Sequence, residues 1–349
     1  MKSFEFDYYL DTPLNHEALK TIRTIGEYRG REVLYKHQTP EVLENLRKTA
    51  IIQSSESSNR IEGIEVAPGR IDSLVLKQSK PVDRSEQEVA GYRDVLAAIH
   101  AHPDRYLISP TIITDFHRQM YRYTGEKAGH WKLKDNAIYE VRNDGKQVIR
   151  FQPVSALKTS DYISKLCSLY KKSLEAQKSD TLFLIASFIL DFECIHPFMD
   201  GNGRIGRLLT LLLLYQAGYE VGRYISLERI IEESKETYYE SLYKSSQGWH
   251  KGEHDLRPWW NYFQGMLTAA YKDFELRVGT FTKTQGAKRE MVENTILRLP
   301  SHFRISDVQR ACPTVSYPTL KRALSELSKK KKIRSMGKGR DAQWEQIQT

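Results

Sequence analysis

The most apolar part of the chain is divided in two by a compact polar cluster. The runs Leu182–Ile195 and Leu208–Tyr215 are largely apolar, and the cluster His196–Arg207 stands between them. Apolar runs of this length are typical of buried helices, and a buried element is rigid enough to hold a catalytic loop in a fixed position. The pattern therefore predicts two buried helices with a polar loop between them, the second of which ends at Gly218.

Helical periodicity recurs on both sides of these runs. It predicts a short helix within residues 1–40, a helix over Pro40–Ile61 that ends at Gly63, and further helices over Gln87–His100, Pro110–Tyr123, residues 155–171 and Ser234–Tyr243. Pro68 and Gly69 mark a loop. Two β-rich runs, Asn136–Val141 and Gln147–Pro153, flank an Asn-Asp-Gly turn and predict a hairpin. The expected fold class is mainly α with one β-hairpin.

Residues 287–349 follow a linker-like stretch at 282–286 and are predicted to form a separate module. Three helical segments are predicted here: one over Arg289–Leu299, one that starts with Ser306 as its N-cap, and one from Ser316 to about Lys330. Short strands follow at residues 333–336 and 342–347. This order resembles a small winged helix–turn–helix domain. The resemblance implies a recognition helix and a wing that contact nucleic acid through Tyr317, Thr319, Lys321, Lys338 and Arg340.

The net charge of +9 is concentrated in this segment. From Lys288 to Thr349 the chain has 14 Lys and Arg against 6 Asp and Glu, whereas the rest of it has 39 against 38. A basic segment beside a neutral remainder indicates an appended module with its own partner. DNA or RNA fits that charge, and a protein partner or a dimer interface is the alternative.

The composition is that of an ordinary globular protein, with 40% hydrophobic and 28% charged residues among 349. Three cysteines (Cys167, Cys194 and Cys312) are too far apart, and odd in number, for a disulfide framework or a zinc site. The N-terminus has no apolar secretory segment, and Asp191 and Glu193 interrupt the longest apolar run. We expect a cytoplasmic protein without membrane spans.

The polar cluster contains residue types that suit the binding of phosphates. Gly201 and Gly203 leave the backbone bare at a predicted helix start, where free N–H groups and the helix dipole attract anions. Arg204 and Arg207 are three residues apart, so both are expected on one side of that helix. Two guanidinium groups beside such a helix start suit a polyphosphate better than a lone carboxylate.

Two further residues of the cluster supply reactive groups. Asp200 is a hard oxygen ligand that suits Mg²⁺, and His196 can take a proton near neutral pH. The set indicates phosphoryl or nucleotidyl transfer from a metal-bound nucleotide. A plain helix–turn–helix corner with solvated arginines is the alternative, and it leaves the coincidence of these groups unexplained.

The cluster resembles the signature of the Fic (Fic/Doc) family, His-Pro-Phe-x-Asp/Glu-Gly-Asn-Gly-Arg-x-x-Arg, and meets every fixed position of it. The resemblance implies a Fic-type helical core that transfers AMP from ATP, with Mg²⁺, to a Ser, Thr or Tyr hydroxyl of a target protein or of the enzyme itself. It implies His196 as the general base, Asp200 as the metal ligand, and catalytic roles for Asn202 and Arg204. It also implies nucleotide contacts by Gly201, Asn202, Gly203, Arg204, Ile205, Gly206, Arg207 and, on the later helix, Tyr239.

A second resemblance lies in Ser58–Gly63. Ser58 and Glu62 are four residues apart on a predicted helix and share a face, although two such residues are ordinarily just solvated. Their spacing is similar to the inhibitory helix of the Fic subgroup that carries it N-terminal to the core. The resemblance implies that Glu62 pairs with Arg207 and obstructs the γ-phosphate, so that the resting chain is weakly active. It also makes Glu62 a candidate for positioning the water that removes AMP.

The predicted hairpin is similar to the family's flap. That similarity implies that a target segment docks on Asn136–Val141 by strand addition and presents its hydroxyl to the site. Lys132 and Gln152 stand where relatives commonly have Arg and Pro. These two differences affect only the expected anchoring of the flap. A hairpin with a structural role alone is the alternative.

The resemblances together imply three domains: an N-terminal helical region with the inhibitory helix at residues 1–85, a catalytic core at 86–280, and the winged helix–turn–helix-like domain at 287–349. Two other functions stay open. One is a DNA-binding regulator whose Fic core senses a nucleotide, and the other is a Fic enzyme that transfers another nucleotide or phosphocholine. The intact His196 and Asp200 favour an enzyme. A homodimer is the default assembly, because dimers are the commonest oligomers.

Overall fold

Helices account for most of the chain that the computed structural model describes, with two small β-sheets beside them. The described residues are 3–4, 16–38, 40–67, 69–141, 147–281, 292–293, 295–296, 299–312, 315–337 and 342–347. They fall into two compact units, one of Met1–Glu27, Ile51–Gly222 and Ser226–Ala270, the other of Tyr28–Ala50, Arg223–Ile225 and Tyr271–Thr349. The mainly α class is confirmed, while the domain limits near residues 85, 280 and 287 stay predictions.

The helices before the C-terminal segment are α1 His16–Gln38, α2 Pro40–Ile61, α3 Arg70–Val75, α4 Arg84–Ala101, α5 Pro110–Met120, α6 Ala156–Ala176, α7 Thr181–Ile195, α8 Asn202–Gln216, α9 Leu227–Glu233, α10 Lys235–Ser246 and α11 Arg257–Phe281. The predicted hairpin is present. Its strands, β1 Ile138–Val141 and β2 Gln147–Phe151, pair antiparallel, and Tyr139 lies opposite Ile149. In the part of the chain that the structure describes, no helix is both long and apolar enough to cross a membrane.

In the N-terminal part, one prediction was wrong and one helix was not predicted. The helix expected to be short is the 23-residue α1. Helix α3 was not predicted. Gly69, expected in a loop, lies in a turn with a left-handed conformation (φ 85°), and the helix that follows it buries Ile71, Leu74 and Val75. Pro68, the other residue of that predicted loop, lies outside the described residues.

The two apolar runs form the buried helices α7 and α8, as predicted. Asp180 caps α7 by accepting a hydrogen bond from the amide of Leu182 (2.8 Å). Gly218 ends α8 with a φ of 78°, and the amide of Tyr219 then donates to the carbonyl of Leu214 (2.8 Å), which satisfies the helix end. Helix α7 contacts both α6 and α8, so the loop between α7 and α8 is anchored at both of its ends.

Helices α4 and α5 approach each other closely at Gly91. A Cβ at this position would lie 1.8 Å from the main-chain oxygen of Met120, and backbone cannot move aside as a flexible side chain can. We expect Gly91→Ala to lower the free energy of unfolding by about 1–3 kcal/mol, although alanine itself favours a helix by about 1 kcal/mol. Urea unfolding measures the change. Gly265→Ala in α11 is the matched control, since nothing lies within 4 Å of a Cβ there, and equal effects at both positions would contradict the prediction.

The second unit contains the C-terminal elements β3 His302–Arg304, α12 Ile305–Ala311, α13 Tyr317–Lys329, β4 Ile333–Ser335 and β5 Gln343–Gln346. The strands form an antiparallel sheet in the order β3-β5-β4, with Phe303 opposite Trp344 and Ile333 opposite Gln346. A core of its own lies beneath the sheet and both helices and includes Val292, Ile296, Phe303, Val308, Cys312, Leu320, Leu324 and Ile333.

The sequence predicted this segment in part. Strands β4 and β5 and helix α13 were expected, and β3 was not. The N-cap expected at Ser306 was wrong: Arg304 caps α12, because β3 leads into the helix without a loop and Asp307 accepts the amide of Arg304 (2.7 Å). The predicted helix over Arg289–Leu299 is helical at residues 292–293 and 295–296. Lys338 and Arg340 lie outside the described residues.

Candidate active site

The site is built around the turn by which the chain leaves α7. His196 follows the last residue of that helix and adopts a left-handed conformation (φ 49°), which few residues other than glycine tolerate. Its amide still donates to the carbonyl of Phe192 (2.9 Å), which ties the turn to the helix. The His196 side chain is 24% exposed.

The loop after His196 is held by an aromatic stack and an asparagine. The buried ring of Phe198 lies parallel to the imidazole of His117, with centroids 3.8 Å apart. Asn202 closes the loop, because its side chain accepts from the amide of Phe198 and donates to the carbonyl of the same residue, each at 2.8 Å. The Asn202 side chain, predicted as catalytic, therefore shapes the loop.

The hairpin is tied to this loop from one side. The buried Lys132 donates to the carbonyl of Ile195 (3.1 Å) and to the side chain of Asn136 (2.6 Å), and Asn136 donates to the carbonyl of Phe198 (3.0 Å). Burial lowers the pKa of Lys132 to about 8. The residues just before β1 thus share a hydrogen-bond network with the His196 loop.

Asp200 has an exposed carboxylate (73% of the side chain) that is nevertheless oriented. Its Oδ2 accepts from the hydroxyl of Tyr121 and its Oδ1 from the amide of Gly201, both at 2.7 Å. Burial acts to raise the pKa of Asp200, but Tyr121, Arg204 and the Gly201 amide outweigh it and hold that pKa below its usual value. The amide of Gly201, predicted to bind phosphate, is engaged by Asp200.

His117 supports Asp200 from the main-chain side. Its Nδ1 accepts from the amide of Gly129 (2.9 Å), so its Nε2 carries the proton and donates to the carbonyl of Asp200 (3.1 Å). Burial lowers the pKa of His117 to about 4. The ring therefore stays neutral, with this tautomer, at neutral pH.

Arg204 and Arg207 have different partners, although they are three residues apart on α8. Arg204 is only 1% exposed and donates to Glu88 (2.5 Å), to Asn59 (3.3 Å) and to the hydroxyl of Tyr121 (2.6 Å). A buried guanidinium needs such acceptors to offset its lost hydration. Arg204 thus braces Tyr121, and through it Asp200.

Arg207 is held by the predicted inhibitory segment. Its Nε donates to Ser58 Oγ (2.9 Å), and its Nη2 donates to the carbonyl of Ser58 (2.8 Å) and to Glu62 Oε1 (2.7 Å). Burial acts to lower the pKa of Arg207, and Glu62 outweighs it and raises that pKa above its usual value. The contact predicted between Glu62 and Arg207 is present in the structure.

The segment that carries Ser58 and Glu62 is anchored at several points within the same unit. The hydroxyl of Ser54 donates to the buried carboxylate of Glu228 (2.7 Å). Arg60 makes two hydrogen bonds to Glu232, and Lys235 donates to the carbonyl of Ile61 (2.7 Å) at the end of the helix. Ser54, Ser55, Ser57, Ser58 and Asn59 are all buried, so these serines do not form the solvated helix end that their composition suggests.

A cavity of about 380 Å³ brings part of the predicted set together: Glu62, His196, Gly203, Arg207 and Tyr239 line it. Ser58, Asn202, Arg204 and Ile205 are buried, and the first three hold other site residues in place. Burial raises the pKa of Tyr239 to about 12, which keeps its hydroxyl protonated at neutral pH.

Two residues that the sequence did not single out also line the cavity. Arg150 of β2 donates to the carbonyl of Tyr239 (3.0 Å) and lies over the ring of Tyr243 (4.7 Å to its centroid), which ties the hairpin to α10. Glu193 of α7 contributes a second carboxylate. The sequence could have indicated Glu193 as a site residue, since it is a charged residue in an apolar helix one turn before His196. Arg150 had no comparable signal.

Burial, helped by Glu62 and opposed by Arg207, raises the pKa of Glu193 to about 7. A carboxyl group with a raised folded-state pKa contributes stability at low pH and loses it as the pH rises through that value. We expect Glu193→Gln to leave the free energy of unfolding unchanged at pH 4.5 and to raise it by up to about 3 kcal/mol at pH 8, since one pKa unit is worth about 1.4 kcal/mol. Urea titrations across this range measure the gain, and a gain that does not grow with pH would contradict it.

The start of α8 is suited to an anion. Gly201 caps the helix with a φ of 82° and without a side-chain hydrogen bond, which leaves the first amides to other acceptors. A Cβ on Gly203 would lie 2.5 Å from Glu62 Oε1, so glycine is what lets this carboxylate reach the helix start. The carboxylate of Glu62 thus shows that an anionic group fits there beside Arg207.

Asp200 is suited to a hard cation. Among the described residues, no group of three or more His, Cys, Asp or Glu side chains is arranged to hold a metal ion. A single carboxylate of this kind suits Mg²⁺, which is commonly held by one or two carboxylates together with waters and substrate phosphates.

Comparison with known proteins agrees with this geometry. A profile of the Fic/DOC family matches residues 107–214, a range that contains α7, the His196 loop and nearly all of α8. This part of the chain is therefore similar to a Fic domain. A Fido domain-containing protein of Dictyostelium discoideum is 32% identical over 87 residues, which cover 25% of this chain and 57% of that relative. The match thus spans little more than half of the relative's length.

Solved structures share the fold of the Fic domain and its surroundings. A Fic family protein from Desulfovibrio desulfuricans G20 superposes with a TM-score of 0.60 at 19% identity, over 97% of this chain and 98% of the other. Residues 134–508 of Fic-1 from C. elegans superpose with a TM-score of 0.58 at 20% identity, over 75% of this chain and 72% of the other. Proteins with a Fic domain are generally transferases that attach nucleotides or other groups to proteins.

Proposed function

We propose that the protein is an adenylyltransferase that transfers AMP from ATP to a Ser, Thr or Tyr hydroxyl of a target protein and of itself, and that Glu62 inhibits it. The observation that carries the proposal is the ion pair of Glu62 with Arg207 in a cavity that also contains His196. A carboxylate that engages an arginine fork takes the place of a phosphate oxygen. The base needed to activate a hydroxyl lies in the same cavity.

His196 takes the proton of the acceptor hydroxyl. Burial, together with Lys132, lowers the pKa of His196 to about 4, so its ring is neutral at physiological pH and offers a free lone pair. As the hydroxyl oxygen bonds to the α-phosphorus, its proton passes to the ring, and pyrophosphate leaves with the electrons of the broken anhydride bond. The negative charges of Glu62 and Asp200 favour the imidazolium that forms.

The residues after His196 hold the triphosphate. Asp200 would bind Mg²⁺, which when present offsets the negative charge of the phosphates. Tyr121 and the amide of Gly201 keep that carboxylate in one orientation. The amides at the start of α8 and the guanidinium of Arg207 are the remaining phosphate ligands of this chain, and positioning of this kind accounts for most of the catalysis of phosphoryl transfer.

The inhibition follows from the way in which Arg207 is held. Glu62 takes one of its donors, so a γ-phosphate and Glu62 compete for the same group. Ser58 binds Arg207 through both its hydroxyl and its carbonyl, so the guanidinium keeps its position when Glu62 is displaced. ATP then meets a preformed arginine, and the inhibitory effect resides in the carboxylate alone. Removal of AMP by a water held at Glu62, and a homodimeric state, stay predictions.

The hairpin is the proposed docking site for the target segment. Tyr139 and Ile149 lie opposite each other on β1 and β2 and are 56% and 55% exposed, which favours a partner strand with apolar side chains. Ala137, Ile138 and Tyr139 also line the cavity. A strand added along Asn136–Val141 would therefore bring its hydroxyl towards His196.

Labelled donors test the transferred group. The Glu62→Gly chain is incubated with Mg²⁺ and, in parallel, ATP labelled at the α-phosphorus, ATP labelled at the γ-phosphorus, labelled UTP and labelled CDP-choline. Adenylyl transfer predicts protein-bound label from the first donor alone. Label from γ-labelled ATP would indicate a kinase, and label from UTP or CDP-choline alone would indicate another Fic chemistry.

For the C-terminal segment we propose a winged helix–turn–helix domain that binds duplex nucleic acid. Ser316 precedes α13 as its N-cap, and Lys321 and Arg322 on that helix are exposed. We expect Lys321→Glu/Arg322→Glu to weaken salt-sensitive duplex binding by about tenfold or more at low salt. Lys171→Glu, at an exposed position of α6, is the charge control, and binding that falls equally in both variants, or in neither, would contradict a binding role for α13.

A further inference from the structure

Glu193 is a buried carboxylate for which the transfer described above has no use. It lies on α7 one turn before His196, and its side chain is 12% exposed. Its Oε1 is fully buried, and among the described residues it has no hydrogen-bond partner. Because a buried polar group without a partner costs stability, its presence calls for a reason in the function of the site.

Among the residues that the structure describes, the imidazole of His196 also has a buried polar atom without a hydrogen-bond partner. Its Nδ1 is buried and, within the described part of the chain, also lacks a hydrogen-bond partner. Nδ1 lies 3.8 Å from Oε2 of Glu193, about 0.6 Å beyond the upper end of the usual N–H···O range. The unsatisfied Nδ1 therefore faces the Glu193 carboxylate through Oε2, while the unsatisfied Oε1 of that carboxylate lies towards Gly206. A small rotation of either side chain brings Nδ1 and the carboxylate within hydrogen-bond distance.

We propose that Glu193 is a positioning residue for His196. Its carboxylate accepts a hydrogen bond from the protonated Nδ1, which leaves Nε2 unprotonated and directed to the acceptor hydroxyl. When Nε2 takes the hydroxyl proton, the Nδ1 proton stays where it is, and the carboxylate lies against the cationic ring. This is the part that a carboxylate plays beside the histidine of a hydrolytic triad. The inference rests on the proposed function only for the identity of the group that His196 deprotonates.

The fold makes room for this carboxylate. A Cβ at Gly206 would lie 2.3 Å from Oε1 of Glu193, so α8 has glycine where the carboxylate approaches it. The charged groups that act on Glu193 are Arg207 and Glu62, and those that act on His196 are Lys132, Glu62 and Asp200. The glycine contact at Gly206 parallels that at Gly203, so one face of α8 admits two carboxylates, Glu193 and Glu62.

The main-chain carbonyl of Glu193 also faces the His196 ring and acts on its pKa. A test must therefore separate the side chain from the main chain, and substitutions at position 193 do so because they leave the carbonyl in place. Glu193→Gln keeps an oxygen that can accept from Nδ1. Glu193→Leu and Glu193→Met remove it at similar volume, and two apolar variants guard against one that does not fold.

The experiment reads the ring directly. NMR spectra of full-length chains with isotope-labelled histidine give the chemical shifts of the ring nitrogens. The signals of His196 are those that are missing from the spectrum of His196→Asn. The proton of the neutral ring is expected on Nδ1 in the wild type and in Glu193→Gln. In Glu193→Leu and Glu193→Met it is expected on Nε2, or divided between the two nitrogens as a mixture of tautomers. In a Glu62→Gly background, the apolar variants should also lower kcat by about 10- to 100-fold at unchanged KM for ATP, with most of the rate kept by Gln.

An Nδ1 proton retained in both apolar variants would overturn the inference, because the main-chain carbonyl would then suffice. The ring signal needs neither donor nor acceptor, so it tests Glu193 even if no variant transfers AMP. Conversely, AMP transfer with an unchanged tautomer in the apolar variants would overturn the role of Glu193 and leave the proposed function standing.

Discussion

Replacing Glu62 with glycine is expected to raise the rate of AMP transfer by about 10- to 100-fold. The substitution removes the carboxylate that takes Arg207 Nη2 at 2.7 Å, while Ser58 keeps the guanidinium in place through two further hydrogen bonds. If the lost obstruction is worth about 1.4–2.8 kcal/mol, the rate rises by one to two powers of ten. Initial rates of self-labelling with ATP and Mg²⁺ measure the effect.

The matched control is Glu65→Gly. Glu65 is an exposed acidic residue three positions after Glu62, so its replacement introduces the same glycine and the same change of charge. It should leave the rate unchanged. Activation by both substitutions would mean that loosening of the segment, and not removal of the carboxylate, releases the enzyme. Activation by neither would mean that Glu62 does not inhibit.

Replacing His196 is expected to lower the transfer rate by about 10²–10⁴-fold, the usual contribution of a general base. Two variants are needed, because His196 adopts a φ of 49° and alanine tolerates this conformation less well than asparagine. We expect His196→Ala and His196→Asn to lose the rate alike and to keep their affinity for ATP, since the ring is assigned to the hydroxyl and not to the phosphates. Single-turnover rates and equilibrium nucleotide binding separate the two effects.

His102→Ala serves as the control for the loss of a histidine, because His102 is exposed at the end of α4. It should keep the full rate. A rate retained in His196→Asn would contradict the assignment of His196 as the base. A rate lost together with nucleotide affinity would assign the ring to binding instead.

The helices that carry the site, and the loop between them, could be predicted because their signals are local. The apolar runs of α7 and α8, Gly218 after the second and the glycines in the loop each follow from neighbouring residues. The contact of Glu62 with Arg207 was expected only through a family resemblance, since 145 residues separate the two. Periodicity alone leaves Ser58 and Glu62 on a solvated helix end.

The supporting network could not be predicted, because its members are distant in sequence and ordinary in type. Tyr121 reaches Asp200 across 79 residues, and Arg204 reaches Glu88 across 116. Each is a polar or ionisable residue of ordinary type, and nothing in the neighbouring sequence indicates its partner. Helices α4 and α5 pack closely at Gly91 and Met120, the residue before Tyr121, and this packing cannot be read from the neighbouring sequence.

The charge pattern of α8 illustrates the same limit. A spacing of three places Arg204 and Arg207 near each other on a helix, and it favours one shared anion. The structure gives them separate acceptors, because Glu88 and Tyr121 engage Arg204 while Ser58 and Glu62 engage Arg207. Both guanidinium groups are buried, and their acceptors lie on other elements of the fold, which the spacing does not reveal.

The mass of the intact chain after incubation with ATP and Mg²⁺ tests whether His196 drives an AMP transfer that Glu62 otherwise inhibits. Glu62→Gly is compared with Glu62→Gly/His196→Ala under identical conditions. We expect the first chain to gain the mass of at least one adenylyl group and the second to gain none. An equal gain in both chains, or no gain in either, would contradict it.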